Sequence, residues 1–262
     1  MDLNLAGRHA LVCGASEGIG RAAAIELALL GADVTVLARR AAVLEDVVAA
    51  LPRVAEGQRH GTLVQDVADT AALDAGVRAA LADHPVHILV NNTGGPPGGR
   101  ALDAGADDYL AAFQRHVLAN QTLAQAVVSG MRQARWGRII NVVSTSVKEP
   151  IANLGVSNTI RGAVASWAKT LSKELGADGI TVNNVLPGYT RTQRLEQILR
   201  DRVEATGKDE AAIGAAMLAS VPAGRFAEAH EVAAAIAFLA TPAAGYVNGV
   251  SLAVDGGRMQ SL

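Results

Sequence analysis

Three glycines near the start of the chain have the spacing of a turn that holds phosphate groups. Gly14, Gly18 and Gly20 follow an apolar run at 9–12 and open an Ala-rich segment that Gly31 ends. Glycines at such places let the backbone approach a diphosphate and leave amide N–H groups at a helix N-terminus to bind it. The pattern predicts a dinucleotide site, and its alternative is a tight strand-to-helix turn without a ligand.

The segments around this turn predict the elements that position it. The run at 9–12, the Ala-rich segment and a second apolar run at 34–37 form a strand, a helix and a strand. Similar apolar runs predict strands at 62–64, 87–90, 138–143, 180–185 and 251–254. Helices are predicted between them, at 41–51, 70–83, 105–134, 156–176 and 228–240. This alternation indicates a parallel sheet with right-handed crossovers.

The expected fold class is α/β, a single-domain Rossmann-type, doubly wound parallel sheet with helices on both faces, over residues 1–262. Ligands of such sheets bind beyond the carboxyl ends of the strands. The stretch 189–222 mixes charges with short helical patterns, and it follows the strand run at 180–185. We expect it to be an insertion on the substrate side, either a lid or a solvated helical pair.

Composition excludes several classes of function. The formal net charge is -2 and the isoelectric point is about 6.3, so the chain lacks the basic excess of a nucleic-acid-binding protein. No membrane span, signal peptide or metal site is predicted. The single cysteine, Cys13, cannot form an internal disulfide, and a cytoplasmic location is expected.

Six short motifs, in order, resemble those of a known family. They are CGASEGIG at 13–20, QDV at 65–67, NNTGG at 91–95, GRIINVVS at 137–144, GITVNNVLPG at 179–188 and VNGVSLAVDGG at 247–257. With this order and spacing the chain resembles the short-chain dehydrogenase/reductases, especially the β-ketoacyl carrier-protein reductases. The resemblance implies NAD(P) as cofactor, a small-molecule substrate and a homo-oligomer, a tetramer or a dimer.

The resemblance also implies which residues bind the cofactor. In the order of the chain, they are Gly14, Ser16, Glu17, Gly18, Ile19, Gly20, Asp66, Val67, Asn92, Thr93, Gly94, Arg161, Pro187, Gly188, Thr190 and Thr192. The first group would hold the diphosphate and a ribose, Asp66 and Val67 the adenine, and the last four the nicotinamide end.

The end of the second strand predicts which dinucleotide is bound. Where an acidic residue would accept hydrogen bonds from a ribose 2′-hydroxyl, this chain has Ala38 followed by Arg39 and Arg40. A guanidinium group pairs well with a phosphate, so NADP(H) is expected in preference to NAD(H), through Arg39. The alternative is that either arginine is a solvated residue at the start of a helix.

The catalytic positions depart from the family pattern. Members have a serine, a tyrosine thirteen residues later, a lysine four further on, and an asparagine twenty-eight residues before the serine. The serine is Ser144, but the other three positions hold Ser157, Arg161 and His116. Asn120, one helical turn beyond His116, could replace the asparagine only if its helix shifted by a turn.

These changes remove the family's proton donor. A serine side chain is shorter than a tyrosine and is not readily brought to an acidity near neutral pH, while an arginine keeps its proton but can still bind the nicotinamide ribose. Three other side chains could supply a proton. His116 could titrate near neutrality, and Lys148 and Tyr189 lie close to the expected site. Their alternatives are a packed histidine, a solvated lysine and a tyrosine that caps the pocket.

Three functions are compatible with this sequence. The first is an NADP(H)-dependent oxidoreductase that acts on a small carbonyl or alcohol compound with an altered proton donor. The second is a catalytically silent nucleotide-binding protein, a sensor or a structural subunit. The third is a non-redox enzyme on the same scaffold, similar to the halohydrin dehalogenases, although the retained glycine turn and Ser157 disfavour it.

Overall fold

The computed structural model describes residues 1–261. Its strands are β1 (His9–Cys13), β2 (Asp33–Ala38), β3 (His60–Val64), β4 (Ile88–Asn91), β5 (Gly137–Val142), β6 (Ile180–Pro187) and β7 (Ser251–Val254). Its α-helices are α1 (Gly18–Leu29), α2 (Ala41–Ala50), α3 (Thr70–Ala80), α4 (Ala106–Phe113), α5 (Ala119–Gln133), α6 (Gly155–Leu175), α7 (Gln193–Thr206), α8 (Glu210–Leu218) and α9 (Ala229–Ala240).

The seven strands form one parallel sheet in the order β3-β2-β1-β4-β5-β6-β7. The predicted Rossmann-type sheet is confirmed. Because all strands run in the same direction, the residues that follow β1, β2, β4, β5 and β6 meet at one edge. That edge carries the site.

Two apolar clusters fill the space between the sheet and its helices. One packs α1 and α9 against one face, around residues such as Leu27, Val34 and Ile236. The other packs α3, α5 and α6 against the opposite face, around Leu89 and Leu123. Burial on both faces explains why the strands are continuous apolar runs rather than alternating ones.

A row of three buried amides crosses the sheet from β4 to β6 and ends at a serine on β7. Asn91 Nδ2 donates to Asn141 Oδ1 at 2.8 Å, and Asn141 Nδ2 donates to Asn184 Oδ1 at 3.0 Å. Asn184 Nδ2 then donates to Ser251 Oγ at 3.2 Å. These residues are register partners on neighbouring strands, so a shift of any strand would break the row. The polar chain thus adds to the apolar pattern in setting the strand register.

Two segments show detail that the sequence did not predict. The single helix expected at 105–134 contains a π-helical stretch, Gln114–Leu118, between α4 and α5. The irregular stretch 189–222 forms α7 and α8, which pack on each other through Leu199, Ile213 and Met217. No helix within residues 1–261 has both the length and the apolar character that a membrane crossing requires.

Candidate active site

A cleft of about 1580 Å³ lies at the carboxyl edge of the sheet. It extends from the glycine turn after β1 to the residues after β5 and β6, and α7 and α8 cover part of it. Fifteen of the predicted cofactor-binding residues line it: Gly14, Ser16, Glu17, Gly18, Ile19, Arg39, Asp66, Val67, Asn92, Thr93, Gly94, Pro187, Gly188, Thr190 and Thr192. Arg161, the shared cofactor and catalytic candidate, lines it too.

The glycine turn has the backbone that close approach to a diphosphate requires. Gly14 and Gly18 have φ values of 60° and 56°, which favour glycine. Asn92 Nδ2 donates to Gly14 O at 3.2 Å and thereby ties this turn to the loop after β4. Gly20, also predicted to bind the cofactor, is not one of the residues that line the cleft; a Cβ there would meet Gly14 O and Asn92 Nδ2. Its role is to let α1 pack closely behind the turn.

Two arginines stand at the end of β2, where the adenine ribose of a dinucleotide would bind. Arg39 is 71% exposed, and its Nη1 lies 4.0 Å from Asp66 Oδ2. Arg40 Nη2 donates to Glu17 Oε2 at 2.8 Å and to Ser16 Oγ at 3.2 Å. Arg40 is therefore partly neutralised by Glu17. Arg39 is the more available of the two cations for a phosphate.

Three of the four catalytic candidates share the far end of the cleft. Ser144 caps a short 3₁₀ turn after β5, where its Oγ accepts a hydrogen bond from Ser146 N at 3.1 Å. Ser157 and Arg161 come from consecutive turns of α6, and each is 8% exposed. Arg161 Nη1 donates to Val142 O at 3.1 Å, so its guanidinium group is fixed against the end of β5.

His116 differs from its prediction in two ways. It lies in the π-helical stretch, is 2% exposed and does not line the cleft. Burial, together with the nearby charges of Arg161 and Arg115, lowers its pKa to about 3. The expectation that His116 titrates near neutrality is therefore wrong. The neutral ring instead lies 2.6 Å, through Nδ1, from the hydroxyl of Thr93, and so positions a residue that does line the cleft.

Of the two other candidate proton donors, Tyr189 lines the cleft and Lys148 is not among the lining residues of the described chain. The Tyr189 ring packs edge-on against Phe226, with the centroids 6.1 Å apart. The guanidinium carbon of Arg258 lies 4.7 Å from the ring centroid of Tyr189. This places a cation on the face of a phenol within the cleft.

Arg194 and Arg258 also line the cleft, although neither was predicted from the sequence. Arg194 lies on α7, two residues after Thr192, and its Nη2 donates to Pro96 O at 2.7 Å. Arg258 lies just after β7 and donates from Nη1 to Thr145 Oγ1 at 3.3 Å. The position of Arg258 after a strand end was a usable signal, because every strand of this sheet ends at the same edge. No local pattern indicated that Arg194 would point inward.

Comparisons with known proteins identify the family of the chain. Residues 14–258 match the family model described as enoyl-(acyl carrier protein) reductase. The chain is 34% identical over 266 residues to the 3-oxoacyl-[acyl-carrier-protein] reductase FabG of Pseudomonas aeruginosa. This alignment covers 99% of this chain and 100% of that protein. It is 33% identical to gluconate 5-dehydrogenase of Gluconobacter oxydans, covering 99% of this chain and 97% of the relative.

Solved structures give the same result. L-sorbose reductase from Gluconobacter frateurii, solved with NADPH and L-sorbose, superposes with a TM-score of 0.92 at 29% identity, and the match covers 100% of both chains. YwfH, an NADPH-dependent reductase involved in bacilysin biosynthesis, has a TM-score of 0.88 at 30% identity, covering 97% of this chain and 99% of that one. The chain therefore belongs to the short-chain dehydrogenase/reductase family, whose members are NAD(P)-dependent oxidoreductases.

Proposed function

We propose that this protein is an NADP(H)-dependent oxidoreductase that interconverts a small carbonyl compound and its alcohol, with a proton donor other than the family's tyrosine. One observation carries the proposal. The glycine turn, Arg39 and the altered catalytic positions Ser157 and Arg161 all line one continuous cleft. A dinucleotide bound along that cleft would have its phosphates at the turn and its nicotinamide at the far end.

The residues fit the cofactor. Glycines with left-handed φ values open the turn, and a Cβ placed on Gly94 would meet no atom within 4 Å, so this wall of the cleft is open. When bound, the cofactor supplies or accepts a hydride. Arg161 has five N–H donors, so it could hold the nicotinamide ribose and keep donors for a second ligand. Ser144 would bind the substrate oxygen.

Tyr189 is our candidate for the proton donor. Reduction of a carbonyl needs a hydride at carbon and a proton at oxygen, and Tyr189 brings a phenol to the cleft. Arg258, on the face of its ring, would stabilise the phenolate that remains after the proton has left. His116 is unsuitable as an acid because its pKa lies near 3, and it does not reach the cleft.

The preference for NADP(H) is assigned to Arg39. No carboxylate ends β2, and Arg39 is an exposed cation that lines the cleft, where a 2′-phosphate would bind. Two structural relatives support the same choice: YwfH is an NADPH-dependent reductase, and L-sorbose reductase was solved with NADPH. Arg39 and the two relatives both bear on the choice of cofactor, and neither bears on the identity of the substrate.

The test is a fluorescence titration with NADPH and NADH. Arg39→Ala is expected to weaken NADPH binding about tenfold, by loss of one charge-assisted contact, and to leave NADH binding unchanged. Arg53→Ala, an exposed arginine that does not line the cleft, is the matched control and should change neither affinity. Equal affinities for both cofactors, unchanged in Arg39→Ala, would contradict the assignment.

We further propose that 189–222 acts as a lid and that the protein is a homo-oligomer, a tetramer or a dimer. Leu195 and Ile198 of α7 line the cleft, which supports a covering role. Leu110 and Phe113 of α4 are large apolar side chains exposed on the subunit surface, which supports an interface there. Light scattering at micromolar concentration tests the assembly, and a monomer would contradict it.

A catalytically silent nucleotide-binding protein is the second candidate. The observation in its favour is Ser157, which replaces the family's tyrosine in a cleft that keeps its cofactor residues. The two candidates differ in one outcome: both bind NADPH, and only the first consumes it.

A further inference from the structure

Two arginine side chains from different helices converge in the cleft. Arg161 comes from α6 and Arg194 from α7, and both approach Gly95 in the loop after β4. A methyl group placed on Gly95 would have Arg161 Nη2 at 3.5 Å and Arg194 Nη2 at 3.6 Å. The two guanidinium groups thus face one small volume beside a residue that has no side chain.

The partners of these two groups within residues 1–261 are main-chain carbonyls rather than carboxylates. Arg161 Nη1 donates to Val142 O at 3.1 Å, and Arg194 Nη2 donates to Pro96 O at 2.7 Å. Arg161 Nε is also buried, and it has no hydrogen-bond partner within residues 1–261. Buried charges are normally paired, and a buried donor without an acceptor is costly. The pair therefore has donor capacity that the protein itself does not use.

Both groups carry a positive charge at neutral pH. Burial and, to a smaller extent, the charge of Arg194 lower the pKa of Arg161 to about 10, which is still far above neutrality. Two like charges this close repel each other. An anion between them would replace that repulsion by charge-assisted hydrogen bonds, and the planar guanidinium fork matches a carboxylate.

The place of the pair in the cleft indicates which molecule would bring the anion. The cofactor's phosphates would bind at the glycine turn and at Arg39, whereas Arg161 and Arg194 lie at the end that also holds Ser144 and Ser157. The nicotinamide ribose, which would bind at this end, is uncharged. A negative charge here would therefore come from the substrate.

We propose that Arg161 and Arg194 bind a carboxylate of the substrate, so that the compound reduced is a small oxo acid and its product the hydroxy acid. This inference rests on the proposed function and specifies its substrate class. The carboxylate would lie beside Gly95 and would hold the neighbouring carbonyl group close to Ser144.

The experiment is a calorimetric titration of the protein saturated with NADP⁺. Because NADP⁺ has no hydride to give, this complex can bind a carbonyl compound but cannot reduce it. The probes are 2-oxo acids of three to six carbons and the corresponding neutral 2-oxo amides, which have nearly the same shape. We expect at least one acid to bind about tenfold or more tightly than its amide. Arg194→Met should remove that preference and leave the NADPH affinity, measured separately by fluorescence, within about twofold of the wild type.

The matched control is Arg200→Met, which removes a more exposed arginine of the same helix that does not line the cleft. It should keep the preference for the acid. Two results would overturn the proposal: no acid binds better than its amide, or Arg194→Met weakens NADPH binding as much as acid binding. If the acids bind as predicted but NADPH reduces none of them, the proposed function fails while the carboxylate site stands.

Discussion

Ser157 and Arg161 change what their two positions in the cleft can do. A serine at 157 shortens the side chain and opens space, while an arginine at 161 keeps a cation that cannot readily pass on a proton. The phenol that lines the same cleft is Tyr189, next to Arg258. We propose that the acid function lies on the loop after β6 rather than on α6.

If Tyr189 is the proton donor, removing its hydroxyl group should slow the reaction. Tyr189→Phe should lower kcat for carbonyl reduction by about 10²–10⁴-fold, the usual contribution of a general acid, with no change in NADPH affinity. His116→Asn, which introduces the residue that the family resemblance implies at this position, is the comparison and should change kcat by less than about tenfold. Steady-state kinetics on the two variants checks this, and the opposite ranking would assign the proton to His116.

At the scale of elements, the glycine turn has no room for a side chain at its third glycine. Gly20 stands where a Cβ would meet Gly14 O and Asn92 Nδ2, so α1 can approach β1 only because this side chain is absent. The π-helical stretch has a comparable local role. It contains His116, whose ring forms a hydrogen bond with the hydroxyl of Thr93 at the wall of the cleft.

We expect Gly20→Ala to lower the free energy of unfolding by about 1–3 kcal/mol, as overpacking does, and to weaken NADPH binding. Gly162→Ala is the matched substitution in α6, where an added methyl group meets no atom within 4 Å. It should be neutral or stabilise by up to about 1 kcal/mol, because alanine is the better helix former. Urea unfolding and cofactor titration measure both effects, and equal stability of the two variants would show that the turn is not tightly packed.

The strands and the cofactor turn could be predicted because their signals are local. Apolar runs such as 34–37 and glycines such as Gly14 identify their own conformation. The π-helical stretch could not be predicted, since its sequence QRHVL is also compatible with an ordinary helix. The inward direction of Arg194 depends on how α7 packs on the rest of the molecule, and the low pKa of His116 depends on burial. Both are properties of the tertiary structure.

At the scale of the whole molecule, two buried histidines link stability to pH. Burial is the main cause that lowers the pKa of His9 to about 4 and that of His116 to about 3. In the unfolded chain a histidine titrates near 6.5. As pH falls below that value, the unfolded state takes up protons that the folded state excludes, so the free energy of unfolding decreases.

The expected decrease begins near pH 6.5 and continues towards pH 4, and for His9 alone it amounts to roughly 3 kcal/mol. Urea unfolding at constant protein concentration, repeated over this pH range, measures it. His116→Asn should flatten the pH dependence, whereas His230→Asn, at an exposed position, should not. A free energy of unfolding that stays constant between pH 6.5 and pH 4 would contradict this prediction.

The central claim is that hydride transfer takes place in this cleft, and isotope transfer tests it most directly. The protein is mixed with NADPH that carries deuterium at the transferred position and with a panel of 2-oxo acids and neutral ketones. Mass spectrometry then follows the label. We predict that NADPH is consumed with at least one compound of the panel and that deuterium appears on the carbon of the new alcohol. Tight binding of NADPH, with no consumption and no label in any product, would contradict the claim and identify a silent nucleotide-binding protein.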